Sequence, residues 1–311
     1  MTRPTSVAMG IILLLGAAGI SSAQRGGFGG FRGGFGGFGG RSGGASDSYY
    51  GPAYGGNQAM PELPEDRHDV PSWTVDPQFK NDVFTFVRLH YNSVPRGSPF
   101  SDGMDYKSGG DWLTDYPDSD LNLPWRLHQM TSMNVDPNGR RLNINDPDLF
   151  KYPLVYMLEV GRLEFTDEEV GIMRHYLMNG GFLMIDDHWG LNEQRNFREQ
   201  IGRVFPDRPF QELPFTHPIF HCVFDLKEKP QVPGIGEWMR RGLTYERDDD
   251  PESHFRSIFD DHGRMMLIEC ANTDFGDGWE REGVNEQYFH LFSEKQAYPM
   301  AINIIFYAMT H

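Results

Sequence analysis

Three features of the sequence predict an α/β fold, a three-layer sandwich built on a mostly parallel sheet. Two continuous apolar runs, Leu154-Val155-Tyr156-Met157-Leu158 and Phe182-Leu183-Met184-Ile185, have the texture of strands buried on both faces. The segment between them carries its own helix start and stop signals, so strand, helix and strand follow one another within about 30 residues, the length of a βαβ unit. Met265-Met266-Leu267-Ile268 supplies a further apolar strand. Parallel neighbours joined by a helix require a crossover, and crossovers cover the faces of the sheet with helices.

The chain begins with segments that do not belong to that fold. Residues 1–23 read as a secretory signal peptide: Arg3 gives the basic end, Val7 to Ile20 the apolar stretch, and Ser21-Ser22-Ala23 the small residues of a cleavage site. The apolar stretch is shorter than the roughly 20 residues a spanning helix needs, so no integral membrane segment is expected after cleavage. Residues 24–60 form a Gly-, Phe- and Arg-rich tail with Phe28, Phe31, Phe35 and Phe38 at near-regular spacing. Glycine at that density cannot offset the entropy of ordering, so the tail reads as disordered. Residues 61–81 read as a linker, and 82–311 as the folded domain. Residues 61–311 hold 24 basic and 43 acidic residues, a net of −19. A field of that sign repels polyanions and argues against nucleic acid as a partner. The chain is therefore expected to be exported, to the periplasm or beyond the cell. Two cysteines, Cys222 and Cys270, are too few for a disulfide framework and read as small buried apolar residues.

Within the domain, Val83 to Leu89 is rich in β-branched and aromatic residues and reads as the first strand. A long loop containing Gly109-Gly110-Asp111-Trp112 follows. Asn122 is placed to cap a helix with Pro124 in its first turn and Leu123, Leu127 and Met130 on its apolar face. Leu142 and Ile144 suggest a short second strand. After the Leu154–Leu158 run, Thr166 and Glu169 form a capping box, with Phe165 and Val170 in the staple positions. Val170, Met173 and Leu177 share a face of the resulting helix, and Gly180-Gly181 ends it. Asn192 can cap a helix through Phe197, Ile201 and Val204. Residues 206–264 carry weak signals and read as loops with short strands. The chain closes on a helix containing Met300, Ile304, Ile305 and Ala308, with Pro299 near its start.

In open parallel sheets, ligands bind beyond the carboxyl ends of the strands. That rule selects Arg88 and His90 from the first strand, Glu159 after Leu158, Asp186-Asp187-His188 after Ile185, and Asn272, Asp274 and Asp277 after the late strand. Two carboxylates and an imidazole at one strand end suit metal ligation or acid–base work, which makes Asp186, Asp187 and His188 the candidate catalytic residues. His217-Pro218-Ile219-Phe220-His221 places two histidines four apart; Pro218 opposes the helix that would make them a ligand pair, and His217 is counted with the candidate cleft residues. Residues 82–311 hold no Gly-x-Ser-x-Gly elbow, phosphate loop, Cys-x-x-Cys or His-Glu-x-x-His. The sequence assigns no cofactor and leaves metal dependence open.

Six segments in order carry a resemblance: Phe86-Val87-Arg88-Leu89-His90-Tyr91, Tyr152-Pro153, Gly180 to Asp187, His217-Pro218-Ile219-Phe220, Asn272 to Glu280, and Asn303 to His311. Over residues 82–311 the chain resembles the bacterial family described as domain of unknown function 4159. The resemblance implies a class I glutamine amidotransferase-like, flavodoxin-like sandwich in an exported or envelope-associated protein, and no activity. Active amidotransferases need a cysteine on the tight turn after a central strand. Asp186-Asp187-His188 stands there instead, so glutamine hydrolysis is disfavoured.

Three functions follow as expectations. The first is a non-catalytic module that binds a small-molecule ligand or a protein on a degenerate amidotransferase-like scaffold. The second is a metal-assisted or carboxylate-based hydrolase using Asp186, Asp187 and His188. The third is a surface structural protein acting through its Gly-Phe tail. The export reading has a direct check, which is mass spectrometry of the chain recovered from the exported fraction of its host. Its first residue should lie close to Gln24; recovery there of a chain starting at Met1 or Thr2 would remove the signal peptide from the account.

Overall fold

The computed structural model describes residues 60–80, 82–93 and 112–311. The segment read as a signal peptide, nearly all of the glycine-rich tail, and Gly109, Gly110 and Asp111 lie outside the described residues. Among those described, no helix is long and apolar enough to cross a membrane.

The chain forms β1 (Val87–His90), β2 (Asn92–Ser93), α1 (Asp118–Met130), β3 (Arg140–Asn143), β4 (Leu154–Leu158), β5 (Leu163–Glu164), α2 (Asp167–Met178), β6 (Phe182–Asp186) and α3 (Gly190–Val204). It continues through β7 (Gln211–Glu212), α4 (Ile235–Arg241), β8 (His254–Phe259), β9 (Met265–Ala271), α5 (Phe275–Glu280), α6 (Glu286–Tyr288), a π-helical stretch Phe289–Ala297, and α7 (Tyr298–Thr310). Seven strands make one sheet in the order β3-β1-β4-β6-β9-β8-β7. The first five run parallel, while β8 is antiparallel to β9 and β7 to β8. β2 and β5 form a separate antiparallel pair.

The apolar runs explain the layering. Successive strand side chains point to opposite faces, and β4 divides accordingly. Leu154, Tyr156 and Leu158 join the core beneath α1, α5 and α7, whereas Val155 and Met157 join the one beneath α2 and α3. β6 divides the same way, with Phe182 and Met184 on the first face and Leu183 and Ile185 on the second. Two cores separated by a sheet make a three-layer α/β sandwich. The βαβ unit forms as its signals indicate: β4 and β6 are parallel from Leu154↔Phe182 to Leu158↔Asp186. The capping box is complete, Thr166 Oγ1 accepting from Glu169 N–H at 3.2 Å and Glu169 Oε2 accepting from Thr166 N–H at 2.8 Å.

Several local expectations change. Strand pairing begins only at Val87, preceded by an isolated bridge from Phe84 to Val135. α1 starts four residues before Asn122, with acidic Asp118 and Asp120 in its first turn favoured by the helix dipole. Asn122 lies inside it and donates to the Trp279 carbonyl at 2.8 Å. α3 begins at Gly190 without a side-chain cap, so Asn192 is not its cap. Residues 206–264 hold helix α4 and the six-residue strand β8, more regular structure than their composition suggests. Cys270 is buried on β9, but Cys222 is exposed, its thiol donating to the Asn303 carbonyl at 3.3 Å. Of residues 61–81, read as a linker, the described residues 61–80 contact the domain at several points. Trp73 stacks on His128 at 4.4 Å and donates to the Val135 carbonyl, and Arg67 reaches Asn138 and the Pro137 carbonyl.

One buried ion pair anchors the segment between β1 and α1. Arg88 is fully buried and pairs with Asp120, whose side chain is 2% exposed. It also donates to Ser119 Oγ and to the carbonyls of Trp112 and Thr114. Removing one partner leaves a buried charge uncompensated, so Asp120→Ala should cost about 3–5 kcal/mol in urea-denaturation stability. A loss under about 1 kcal/mol, the value of an exposed pair, would show that Asp120 is not what neutralises Arg88.

Candidate functional site

The five parallel strands β3, β1, β4, β6 and β9 stand in the order two-one-three-four-five, and a sheet wound that way has its switch point between β1 and β4. The residues beyond the carboxyl ends of β4, β6 and β9 are Glu159, Asp187 and Asn272. All three have left-handed backbones, with φ of 52°, 50° and 56°. Asp115, on the segment held by Arg88, is a fourth, at φ 65°. A non-glycine residue is uncommon there, and such conformations cluster at functional sites. The strand ends are tied together through the backbone: Glu159 N–H donates to the Asp187 carbonyl at 3.0 Å, and Asp187 N–H to the Thr273 carbonyl at 3.1 Å.

This arrangement gathers carboxylates. Asp115, Asp187 and Asp274 each offer an oxygen within 4.8 Å of the others, and Asp115, Asp277 and Glu280 form a second such group. Two glycines leave room for the crowding. A Cβ on Gly276 would lie 2.1 Å from Asp115 Oδ2, and one on Gly234 would lie 2.8 Å from Glu246 Oε1. Neighbouring cations are taken by other acids. Arg88 pairs with Asp120, Arg247 with Glu193 at 3.6 Å, and Arg281 with Asp277 at 2.9 Å and Glu280 at 2.7 Å. Among the described residues, no arginine, lysine or histidine forms an ion pair with Asp115, Asp187 or Asp274.

Burial, only partly offset by nearby arginines, raises the proton affinity of these groups. Burial pushes Asp115 well above the usual carboxylate range, and Asp277, Glu280 and Asp187 add to it. Burial does the same to Asp187, reinforced by Glu159, Glu246 and Asp186, and to Asp274, reinforced by Asp187, Asp277 and Asp115. Asp186, Glu246 and Glu280 are each pushed by burial up to about 7.

The structure separates the three candidate catalytic residues. Asp186 points to α5: its Oδ2 accepts from the N–H groups of Phe275 and Gly276 at 2.8 and 3.1 Å, and from Tyr156 Oη at 3.2 Å. Asp187 enters the carboxylate group, steadied by Trp189 Nε1 at 2.8 Å. His188 turns to the other core, where its ring meets Phe197 at 5.4 Å and its Nε2 lies 3.2 Å from Glu269. Of the other cleft residues, Asp274 joins Asp187, Asp277 joins Asp115 and Glu280 in the second group, and Glu159 stands beside Asp187. Arg88 acts on the Trp112–Asp120 segment, and His90 meets Asn143 at 2.7 Å. Asn272 binds Gly190 N–H at 2.8 Å and Asp250 at 3.0 Å, joining β9 to α3. His217 accepts from Ile219 N–H and packs 5.4 Å from Tyr307, outside the carboxylate group. Sequence reasoning missed Asp115 and Glu246 as site residues. Asp115 lies in a loop with no strand end to point to it, and Glu246 in the stretch of weakest signal.

The family model described as "Domain of unknown function (DUF4159)" matches residues 85–309. No curated protein matches the chain.

Folded Asp186, Glu246 and Glu280 hold protons that an unfolded chain has released, because their pKa values rise from 3.8, 4.5 and 4.5 to about 7. A raised carboxyl pKa makes folding stability fall as pH rises through that window. The melting temperature of chelator-treated protein should therefore drop by several degrees from roughly pH 5 to roughly pH 8. A melting temperature that stays level or rises over that range would contradict the protonated cluster.

Proposed function

The chain belongs to the DUF4159 family, and from that premise we propose that it is an exported, cation-dependent ligand-binding module. Its family description carries no activity, so the reading rests on the chain's own residues. The observation that carries it is the group formed by Asp115, Asp187 and Asp274, three buried carboxylates with oxygens within 4.8 Å of one another and without a paired cationic side chain among the described residues. Isolated buried charges are costly, and they persist when neutralised, paired or bound to a metal. An all-oxygen donor set favours a hard cation such as Mg²⁺, Ca²⁺ or Mn²⁺ over zinc. Three carboxylates leave coordination positions for water or for oxygen atoms of a ligand. The ligand itself would then reach the protein through the cation, at the strand ends where open parallel sheets bind their ligands.

The amidotransferase-like part of the reading is consistent with Asp187, a left-handed residue on the turn after a central strand, standing where such enzymes carry their nucleophile. A carboxylate there supports ligation of a cation rather than attack on an amide. The hydrolytic alternative built on Asp186, Asp187 and His188 has less support. Asp186 Oδ2 is occupied by backbone donors and His188 faces Glu269, so only Asp187 of the three reaches the carboxylate group. Export is supported by the features of residues 1–23.

The test is metal binding by the full chain, followed by calorimetry and by elemental analysis after dialysis, beside Asp187→Asn. Wild type should bind Mg²⁺, Ca²⁺ or Mn²⁺. The variant, with an unchanged circular dichroism spectrum, should bind more weakly by at least the roughly 10–100-fold that even a second-shell change costs. Absence of binding in the wild type, or equal binding in the two, would overturn the proposal.

A further inference from the structure

Asp115 belongs to both carboxylate groups, the one with Asp187 and Asp274 and the one with Asp277 and Glu280. Its position is more specific than membership of an acidic patch requires. Asp115 is 8% exposed, and its Oδ2 is buried without a hydrogen-bond partner among the described residues. Gly276 makes that placement feasible, since any side chain there would overlap the oxygen at 2.1 Å. A buried carboxylate oxygen left without a donor costs free energy unless something outside the protein satisfies it.

The second group is built and reachable. Asp277 is held at the start of α5, its Oδ2 accepting from Ile235 N–H and its Oδ1 from Arg281 Nε at 2.9 Å. Arg281 also pairs with Glu280 at 2.7 Å, and its side chain is 39% exposed. A guanidinium at the rim supplies positive charge to these two acids, and it has room to withdraw when a cation replaces it. Glu280 and Arg281 also line a groove of about 400 Å³ with His68, Asp118, Asn122 and Trp125. Of the second group, Glu280 borders that groove.

We infer that the site holds two divalent cations, one on Asp115, Asp187 and Asp274 and the other on Asp115, Asp277 and Glu280, with the Asp115 carboxylate shared between them. The inference rests on the single-cation reading above and adds a second ion to it. Two-cation centres place their ions about 3.5–4 Å apart, and a carboxylate offers two oxygens to span such a gap. Two ions also answer the charge: five carboxylates face the site, and one divalent cation with Arg281 would leave it negative.

Mn²⁺ serves as the probe, because its electron paramagnetic resonance reports magnetic coupling between neighbouring ions. Full-length wild type should take up two Mn²⁺ per chain with a coupled spectrum. Glu280→Gln, which keeps the side-chain size at a half-buried position, should take up one and give an uncoupled spectrum. Asp277→Asn should behave alike, and serves where Glu280→Gln fails to fold. One Mn²⁺ per chain in the wild type would overturn the second ion while leaving the first. No Mn²⁺ would remove both readings. Two coupled ions in either folded variant would overturn the assignment of the second group.

Discussion

A single buried guanidinium organises the site. Arg88 sits on β1, fully enclosed, 5.4 Å above the Tyr156 ring, and donates to Asp120, Ser119 and the carbonyls of Trp112 and Thr114. A buried charge has few acceptable arrangements, because each N–H must find an acceptor and the charge a partner. Arg88 meets that demand by drawing in residues 112–120, and Asp115 comes with them. Without this constraint the loop between β1 and α1 would have no reason to place a carboxylate against Gly276, and the two acidic groups would lose their common member.

The rest of the site follows from what happens at the strand ends. β4, β6 and β9 are buried on both faces and cannot continue past their last residues without exposing the backbone of the next turn. The chain reverses there through left-handed Glu159, Asp187 and Asn272, each held by hydrogen bonds to a neighbouring strand end. These residues have different tasks. Asp187 faces the carboxylates, while Asn272 uses both ends of its amide to fix α3 and the 250–252 segment. The cleft concentrates like charge at one edge of a fold otherwise stabilised by two apolar cores, and the proton affinity of its acids is raised first by their burial and then by that concentration.

Much of the fold was legible because it rests on local signals. The Leu154–Leu158 and Phe182–Ile185 runs, the Thr166–Glu169 box and the Gly180-Gly181 stop lie within a few residues of the structure they specify. The reading failed where long-range contacts override propensity. Asn122 has the chemistry of a cap, yet α1 begins earlier because Arg88 binds Ser119 and Asp120, which then sit in the first turn. Residues 206–264 have few helix or strand signals, and β8 forms there because β9 offers it an antiparallel edge.

For the site, the sequence determined which residues stand at the strand ends: the continuous apolar runs and the capped helix between two of them are written in residue order, so Asp187, Asn272 and Asp274 could be placed there. Tertiary structure decided which of them meet. The left-handed turn at Asp187 breaks the alternation of the strand, so Asp186, Asp187 and His188 go to three different surroundings despite being consecutive. Asp115 and Asp187, distant in sequence, come together because a buried arginine on another strand must be satisfied. Side-chain convergence of that kind depends on the packing of the whole sandwich, and no local pattern encodes it.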